Sequence, residues 1–147
     1  MGKITSLLFF WTVVFSILWG LDARSESIAV IVNKSNPLVA LTESELARIY
    51  QGSKVHWKDG SKIVVINRPI KSEIRWKFYN RALQSKPWRK YYNNPTPIPF
   101  KTTVVVSDFS TKRFVAYIPN AIGYISAKIV DDTVKVVMLL EGLEVGN

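Results

Sequence analysis

The 147-residue chain contains no cysteine and a single histidine, His56. The lack of cysteine excludes disulfide bonds, and it also excludes attachment of a lipid to an N-terminal cysteine. His56 falls in a predicted loop with no carboxylate spaced to join it on a helix face, which argues against a metal or catalytic role. No Gly-x-Ser-x-Gly elbow, phosphate-binding glycine loop or dinucleotide fingerprint occurs. These absences predict a protein that is not an enzyme and uses no cofactor or metal.

The sequence has a single long apolar run, and it lies within the first 25 residues. A lysine precedes an almost wholly apolar run over residues 4–21, and Ala23 and Ser25 supply the small residues that a signal peptidase requires. We therefore predict a signal peptide over residues 1–25 and a mature periplasmic domain over residues 26–147. The alternative is an uncleaved membrane anchor, because eighteen apolar residues lie at the lower limit for crossing a bilayer.

The chain is basic, with 20 lysines and arginines, 11 acidic residues and a net charge of +9. Removal of the signal peptide takes away Lys3, Arg24 and Asp22 and leaves a net charge of +8. A basic exported domain favours an anionic ligand or an anionic surface, although charge also keeps a small domain soluble. Residues 81–92 mix basic and aromatic side chains, as nucleic-acid binders do. A helix with one packed and one solvated face explains them better, and export argues against nucleic acid.

Apolar runs alternate with helical patterns along the mature chain. Runs rich in β-branched residues predict strands over residues 28–32, 63–66, 121–126 and 133–140. Helical spacing of apolar residues predicts helices within residues 42–52, 72–83, 85–92 and 107–117. Three prolines exclude regular structure over residues 93–99. This alternation predicts one α/β domain with a mixed, mainly parallel sheet flanked by helices.

Local signals define the helix ends and the buried faces. Thr42 and Glu45 form a predicted capping box, and Gly52 closes that helix. Glutamates in the first turns of helices are explained by capping, so they are not interpreted as a catalytic pair. The predicted buried faces contain Leu46, Ile49 and Tyr50 in the first helix, Ile74, Phe78 and Ala82 in the second, and Phe114, Val115 and Ile118 in the last.

The strand, turn and helix over residues 63–83 form the best candidate site. The apolar strand ends at Asn67, Arg68 follows it, and Ser72 is a predicted helix N-cap with Arg75 one turn further on. The first amides of a helix have no internal partner, and the helix dipole favours negative charge there. Ser72, Arg68 and Arg75 are therefore predicted to donate hydrogen bonds to a bound oxyanion. The structural alternative is a simple N-cap beside solvated arginines.

Four segments together resemble the phosphate-type substrate-binding proteins of ABC transporters. They are IAVIVNKSNP, LTESELARIYQGSKVHW, VVINRPIKSEIR and PNAIGYIS, in the order and at the spacing of that family. The resemblance covers residues 28–126 and implies a type II periplasmic-binding-protein-like fold. Family members have two lobes with the oxyanion between them, so this chain is expected to correspond to a single lobe.

The resemblance also implies a modified ligand site. In the family the turn has the pattern R-x-x-G-S-G-T-R, whose serine, threonine and last arginine contact phosphate. Arg68, Ser72 and Arg75 fall on matching positions. The departures are Lys71 and Glu73 in place of the two glycines, and Ile74 in place of the threonine. Added side chains and a carboxylate in the first helical turn are expected to weaken an anion site.

Two functions follow as expectations. The first is non-catalytic binding of phosphate or a similar oxyanion, linked to a transporter permease. The second is a periplasmic accessory module whose altered site no longer binds phosphate and whose surface contacts a membrane protein, such as a permease or sensor, or another envelope component. Which oxyanion is preferred and how many copies of the chain assemble are left open.

Overall fold

The computed structural model of the chain describes residues 26–82 and 102–142. In chain order the elements are β1 (Ile28–Asn33), α1 (Glu43–Tyr50), β2 (Val64–Asn67), α2 (Glu73–Ala82), β3 (Thr102–Val104), α3 (Asp108–Tyr117), β4 (Ala121–Ser126), a 3-10 turn (Ala127–Ile129) and β5 (Val134–Leu140). The predicted signal peptide, the predicted helix over residues 85–92 and the proline-rich stretch over residues 93–99 lie outside the described residues. Strand β3 was not predicted from the sequence.

The five strands form one sheet in the order β3-β2-β4-β1-β5. Strand β2 pairs in parallel with β3 and β4, whereas β1 is antiparallel to both β4 and β5. Four strands therefore run in one direction and β1 runs against them, which confirms the predicted mixed, mainly parallel sheet. The carboxyl ends of β2, β3 and β4 meet at one end of the sheet, next to the start of β1. We call this region the carboxyl end of the sheet.

Helices cover both faces of the sheet. Every residue of β1 is buried, and its side chains alternate between the two faces. Val30 and Val32 belong to the core beneath α1 and α2, and Ala29 and Ile31 belong to the core beneath α3. The continuous apolar run that predicted β1 is thus the signature of a strand buried on both sides.

The predicted ends of α1 are confirmed. The Thr42 hydroxyl accepts from the Glu45 amide at 3.2 Å, and the Glu45 carboxylate accepts from the Thr42 amide at 3.1 Å. Gly52 follows the helix with φ of 81°, a left-handed conformation that glycine adopts without steric cost. The capping box and the closing glycine were each predicted from residues within one or two helical turns of each other. Sequence patterns predict such local contacts best.

One predicted buried face is partly wrong. In α3, Val115 is fully buried as expected, but Phe114 is 43% exposed and Thr111 is buried in its place. The reason is the close approach of α3 to Gly123 in β4. A Cβ atom at position 123 would lie 2.9 Å from Thr111 Cγ2 and 3.1 Å from Val115 Cγ2. The helix therefore turns its small and β-branched residues to the sheet and leaves Phe114 at the surface.

Buried asparagine explains the turn after β1. The Asn33 side chain donates to the carbonyls of Val115 and Ala116 at 2.9 and 2.8 Å, and it accepts from the Ser35 amide at 2.9 Å. The side chain thus satisfies carbonyls in the last turn of α3 and shapes the turn that leaves β1. Asn33, in the NKSNP part of the segment IAVIVNKSNP, therefore has a structural role.

An ion pair joins the strand ends at the carboxyl end of the sheet. Arg68, directly after β2, donates through Nη1 to Asp108 Oδ1. Asp108 Oδ2 accepts from the amide of Ser126 at the end of β4, at 3.0 Å. One carboxylate in the first turn of α3 therefore holds the ends of two neighbouring strands together.

The Gly123 contact gives a first prediction. Replacement of Gly123 by Ala adds a methyl group against Thr111, so we expect a loss of about 1–3 kcal/mol in the free energy of unfolding, measured by urea denaturation. Thr111→Ser removes the contacting methyl group but keeps the hydroxyl that donates to the Ser107 carbonyl. The double variant should therefore lose less stability than the sum of the two single variants. An unchanged urea midpoint for Gly123→Ala would refute the close packing.

The ion pair gives a second prediction. Asp108→Asn leaves the buried Arg68 guanidinium without its countercharge, so we expect a loss of about 3 kcal/mol in the free energy of unfolding. Asp131→Asn is the matched control, because Asp131 also pairs with a cation, Lys112, but is 44% exposed. We expect the control to stay close to wild type in the same urea titration. Equal urea midpoints for Asp108→Asn and the wild type would contradict the joining role of this carboxylate.

Candidate functional site at the carboxyl end of the sheet

A cavity of ≈ 350 Å³ opens at the carboxyl end of the sheet. Its walls come from the start of β1, the residues that follow β2, the first turns of α2 and α3, and the end of β4. The lining residues are Glu26, Ile28, Arg68, Ser72, Glu73, Ile74, Lys77, Asp108 and Ser126. In open α/β sheets, ligands bind beyond the carboxyl ends of the strands, where chain crossovers pass to opposite faces. Here α2 and α3 cover opposite faces, so the cavity lies at such a place.

Arg68 forms the floor of the cavity. It is only 7% exposed, and its Nη2 donates to the Val106 carbonyl at 3.0 Å in addition to the Asp108 pair. Its buried Nε has no hydrogen-bond partner among the described residues. A buried donor that lacks an acceptor costs free energy.

Ser72 lies on the cavity wall, directly before α2. The hydroxyl of a serine at a helix N-cap commonly accepts from an amide of the helix. The Ser72 hydroxyl instead donates to the carbonyl of Pro69 at 2.7 Å and so closes the turn between β2 and α2. The hydroxyl can exchange this local acceptor for a ligand oxygen by rotation, since a serine hydroxyl has one proton and two lone pairs.

Arg75, the third predicted donor, is not among the residues that line the cavity. Its Nη1 donates to the backbone carbonyl of Arg68 at 2.8 Å, and its guanidinium carbon lies 5.1 Å from the centre of the Tyr79 ring. The structure thus brings Arg68 and Ser72 together at the cavity and places Arg75 behind the turn, against the backbone of Arg68.

The cavity also contains charged residues that sequence reasoning missed as site residues. Lys77 pairs with Glu73 at 2.6 Å across one turn of α2, and this hydrogen bond lowers the pKa of the Glu73 carboxyl group. The spacing of four residues could have revealed this pair. Glu26 and Asp108 come from distant parts of the chain, and no local signal links them to Arg68. Carboxylates therefore outnumber cations on the cavity walls by three to two.

A rigid polar core supports the cavity floor. Asn67, next to Arg68, donates to the Tyr79 hydroxyl at 2.8 Å and accepts from the Tyr124 hydroxyl at 2.6 Å. Burial raises the pKa of both tyrosines, so they stay protonated and keep these hydrogen bonds. The Tyr124 ring stacks on Phe78 with ring centres 3.8 Å apart. These contacts fix the backbone from which the Arg68 side chain projects.

The other features of the described residues are weaker candidates for a ligand site. A second cavity of ≈ 280 Å³ lies at the opposite end of the sheet, beside Trp57 and Asn120, whose indole NH and carbonyl are already bonded to each other at 3.0 Å. Within residues 26–82 and 102–142 no three metal-binding side chains cluster, and no helix there has the length and apolar character needed to cross a membrane. His56 is exposed in a loop, as predicted.

Comparisons with solved structures place the fold among phosphate receptors. The chain has 27% identity and a TM-score of 0.62 to an ABC-type phosphate transport receptor from Vibrio cholerae, over 78% of this chain and 46% of the receptor. A putative phosphate ABC transporter substrate-binding protein with bound phosphate from Clostridium perfringens gives 28% and 0.65, over 78% and 45%. PstS from Borrelia burgdorferi shares the fold at 21% identity and a TM-score of 0.63. The chain thus spans slightly less than half the length of these receptors.

Sequence comparison agrees with the structural likeness. No protein with a curated description matches the chain significantly. The family model described as the PBP superfamily domain matches residues 19–140, which is most of the chain. Together with the α/β sheet and the cavity at its carboxyl end, this match shows that the chain belongs to the PBP superfamily.

Proposed function

We propose that this protein is an exported, non-catalytic binding protein for an oxyanion, with phosphate as the ligand and the cavity at the carboxyl end of the sheet as its site. In this proposal Arg68 and Ser72 donate hydrogen bonds to the ligand, and Lys77 adds positive charge. The two most similar solved receptors described above carry phosphate-transport descriptions. By analogy with them, the protein would serve uptake of phosphate through a membrane permease.

The buried guanidinium of Arg68 is the observation that carries the proposal. Arg68 lines a cavity large enough for a small anion, and each of its two Nη atoms uses one of its two protons in the hydrogen bonds to Asp108 and Val106, which leaves a second proton on each to donate. A planar guanidinium donates in a geometry that matches phosphate oxygens. The first turns of α2 and α3 also line the cavity, and the positive ends of their dipoles favour a bound anion.

The carboxylates on the walls limit which oxyanion fits. A fully deprotonated anion presents only acceptors, so it is repelled by Glu26 and Glu73. Phosphate keeps at least one proton at neutral pH and can donate it to a carboxylate, whereas sulfate cannot. We therefore favour phosphate over sulfate, with weak affinity because the site is open to water and its charges are screened.

Arg75 enters the proposal as a positioning residue. It was predicted to contact the ligand directly, yet it donates to the Arg68 carbonyl and lies against the Tyr79 ring. In that position it holds the backbone that presents Arg68. Its direct contact with a ligand stays a prediction.

A second candidate function is the accessory module. The excess of carboxylates on the cavity walls favours it, as do the exposed aromatic side chains on the outer face of α3: Phe109, Phe114 and Tyr117, with exposures of 61, 43 and 79%. Aromatic side chains are enriched in protein interfaces. In that case the contact would be with a membrane protein or another envelope component.

Export itself gives a third prediction. The proposed signal peptide ends at Ser25, so intact-mass spectrometry of the protein from the periplasmic fraction should give the mass of residues 26–147. Protein found only in the membrane fraction, with its apolar N-terminal run retained, would instead establish the anchor.

Phosphate binding gives a fourth prediction. Isothermal titration of the exported protein with phosphate should show saturable heat, and Ser72→Ala should weaken binding about tenfold, the loss expected for a hydrogen bond to a charged ligand. Lys77→Met should also weaken binding. Lys54→Met is its matched control, because Lys54 likewise pairs with a glutamate, Glu45, but lies away from the cavity.

The outcomes separate the two candidate functions. No heat at millimolar phosphate would reject oxyanion binding and leave the accessory module. Binding that survives Ser72→Ala combined with Lys77→Met would place the ligand elsewhere on the protein.

A further inference from the structure

The backbone that leads into β1 is held against the end of β4. The Glu26 carboxylate accepts from the Ser126 hydroxyl and pairs with Lys128 at 3.8 Å. One residue further on, the Ser27 carbonyl accepts from the Ala127 amide at 2.9 Å. These contacts on two successive residues keep Glu26 at the carboxyl end of the sheet.

Glu26 is also part of the cavity wall. It lines the cavity together with Ile28, the first residue of β1, and Ile28 lies opposite Ser126, which lines the cavity as well. The α-nitrogen of Glu26 is bonded to the Cα atom that carries one of these lining side chains. This nitrogen therefore lies beside the cavity wall.

The proposed cleavage after Ser25 would change the charge of this nitrogen. In the precursor it belongs to a neutral peptide bond. In the mature chain it would be a free α-amino group, whose ordinary pKa of about 7.7–8.0 leaves it mostly protonated at neutral pH. An ammonium group carries a full positive charge and three N–H donors.

The new cation would balance the charges on the cavity walls. The charged side chains that line the cavity are the carboxylates of Glu26, Glu73 and Asp108 and the cations of Arg68 and Lys77, and Lys128 lies next to them as the partner of Glu26. Three lining carboxylates thus face two lining cations in the precursor and three in the mature chain. Walls without an excess of negative charge no longer repel an anion.

We propose that the α-ammonium group of Glu26, formed when the signal peptide is removed, is a further donor to the bound oxyanion. This inference rests on the proposed function and on the proposed cleavage after Ser25. Processing then completes the binding site, and the precursor binds phosphate more weakly than the exported protein.

Chemical modification of the exported, processed protein tests the role of this charge. Acetylation of the α-amino group removes the charge, whereas reductive dimethylation adds a group of similar size and keeps it. Both reactions favour the α-amino group at about pH 6.5, because lysine side chains, with pKa values of about 10.4, stay protonated there. Mass spectrometry of the intact protein and of its N-terminal peptide identifies the singly modified products.

Isothermal titration with phosphate compares the three forms of the protein. We expect the acetylated form to bind at least about tenfold more weakly than the unmodified form, the loss expected for a hydrogen bond between charged groups. The dimethylated form keeps its positive charge and one N–H donor, so it should bind about as well as the unmodified form. It is the matched control for the added bulk.

An isotope-labelled dimethyl group gives a second readout, because its NMR signal follows protonation of the α-amino group. A bound anion favours the protonated form, so saturating phosphate should raise the pKa of this amino group at constant ionic strength. The surrounding carboxylates and lysines are the same with and without phosphate. An amino group with a merely structural role would keep the same pKa.

The outcomes separate this inference from the proposed function. Equal phosphate affinities of the unmodified and acetylated forms would overturn the inference and leave oxyanion binding intact. Equal weakening by acetylation and dimethylation would overturn it as well, because bulk and not charge would be responsible. A mature chain that begins at a residue other than Glu26 would also overturn it. No heat from the unmodified form would reject oxyanion binding itself, and the inference with it.

Discussion

The ion pair between Arg68 and Asp108 is the interaction on which the candidate site depends. It brings the residue after β2 to the first turn of α3, and through the Ser126 amide it also holds the end of β4. A buried guanidinium without a countercharge would be too costly to keep in the floor of the cavity. Asp108 supplies this countercharge, and in doing so it also neutralises the positive charge of Arg68. The pair therefore holds the Arg68 side chain in place but reduces the net positive charge of the site. Such a site suits a ligand that is recognised by hydrogen bonds more than by charge.

Helix α3 is fixed to the sheet at both ends and in the middle. Asp108 holds its first turn, Asn33 donates to carbonyls in its last turn, and Gly123 lets its centre approach β4 closely. Such a helix has little freedom to slide or rotate. The backbone that carries its outer aromatic side chains is therefore held in place, so a partner that binds there would not have to order the helix itself.

Much of the fold was predictable because its signals are local. The capping box of Thr42 and Glu45 and the apolar run of β1 each lie within a few residues, and each formed as predicted. The strand and turn that placed Arg68 and Ser72 near one another are equally local. The pairing of Arg68 with Asp108 was not predictable, since it depends on β2 and β3 being neighbours across 40 residues of chain. The exposure of Phe114 likewise depends on Gly123, which selects the face of α3 that meets the sheet.

The position of β1 in the sheet determines when the chain can fold. Among the strands that the structure describes, β1 is the first in the chain and lies between the last two, β4 and β5, so its hydrogen-bonding partners are residues 121–126 and 134–140. A chain emerging from the ribosome therefore cannot complete this sheet until residues 134–140 have been made, and contacts of such long sequence separation form slowly. Late closure of the sheet would keep a nascent chain unfolded for longer.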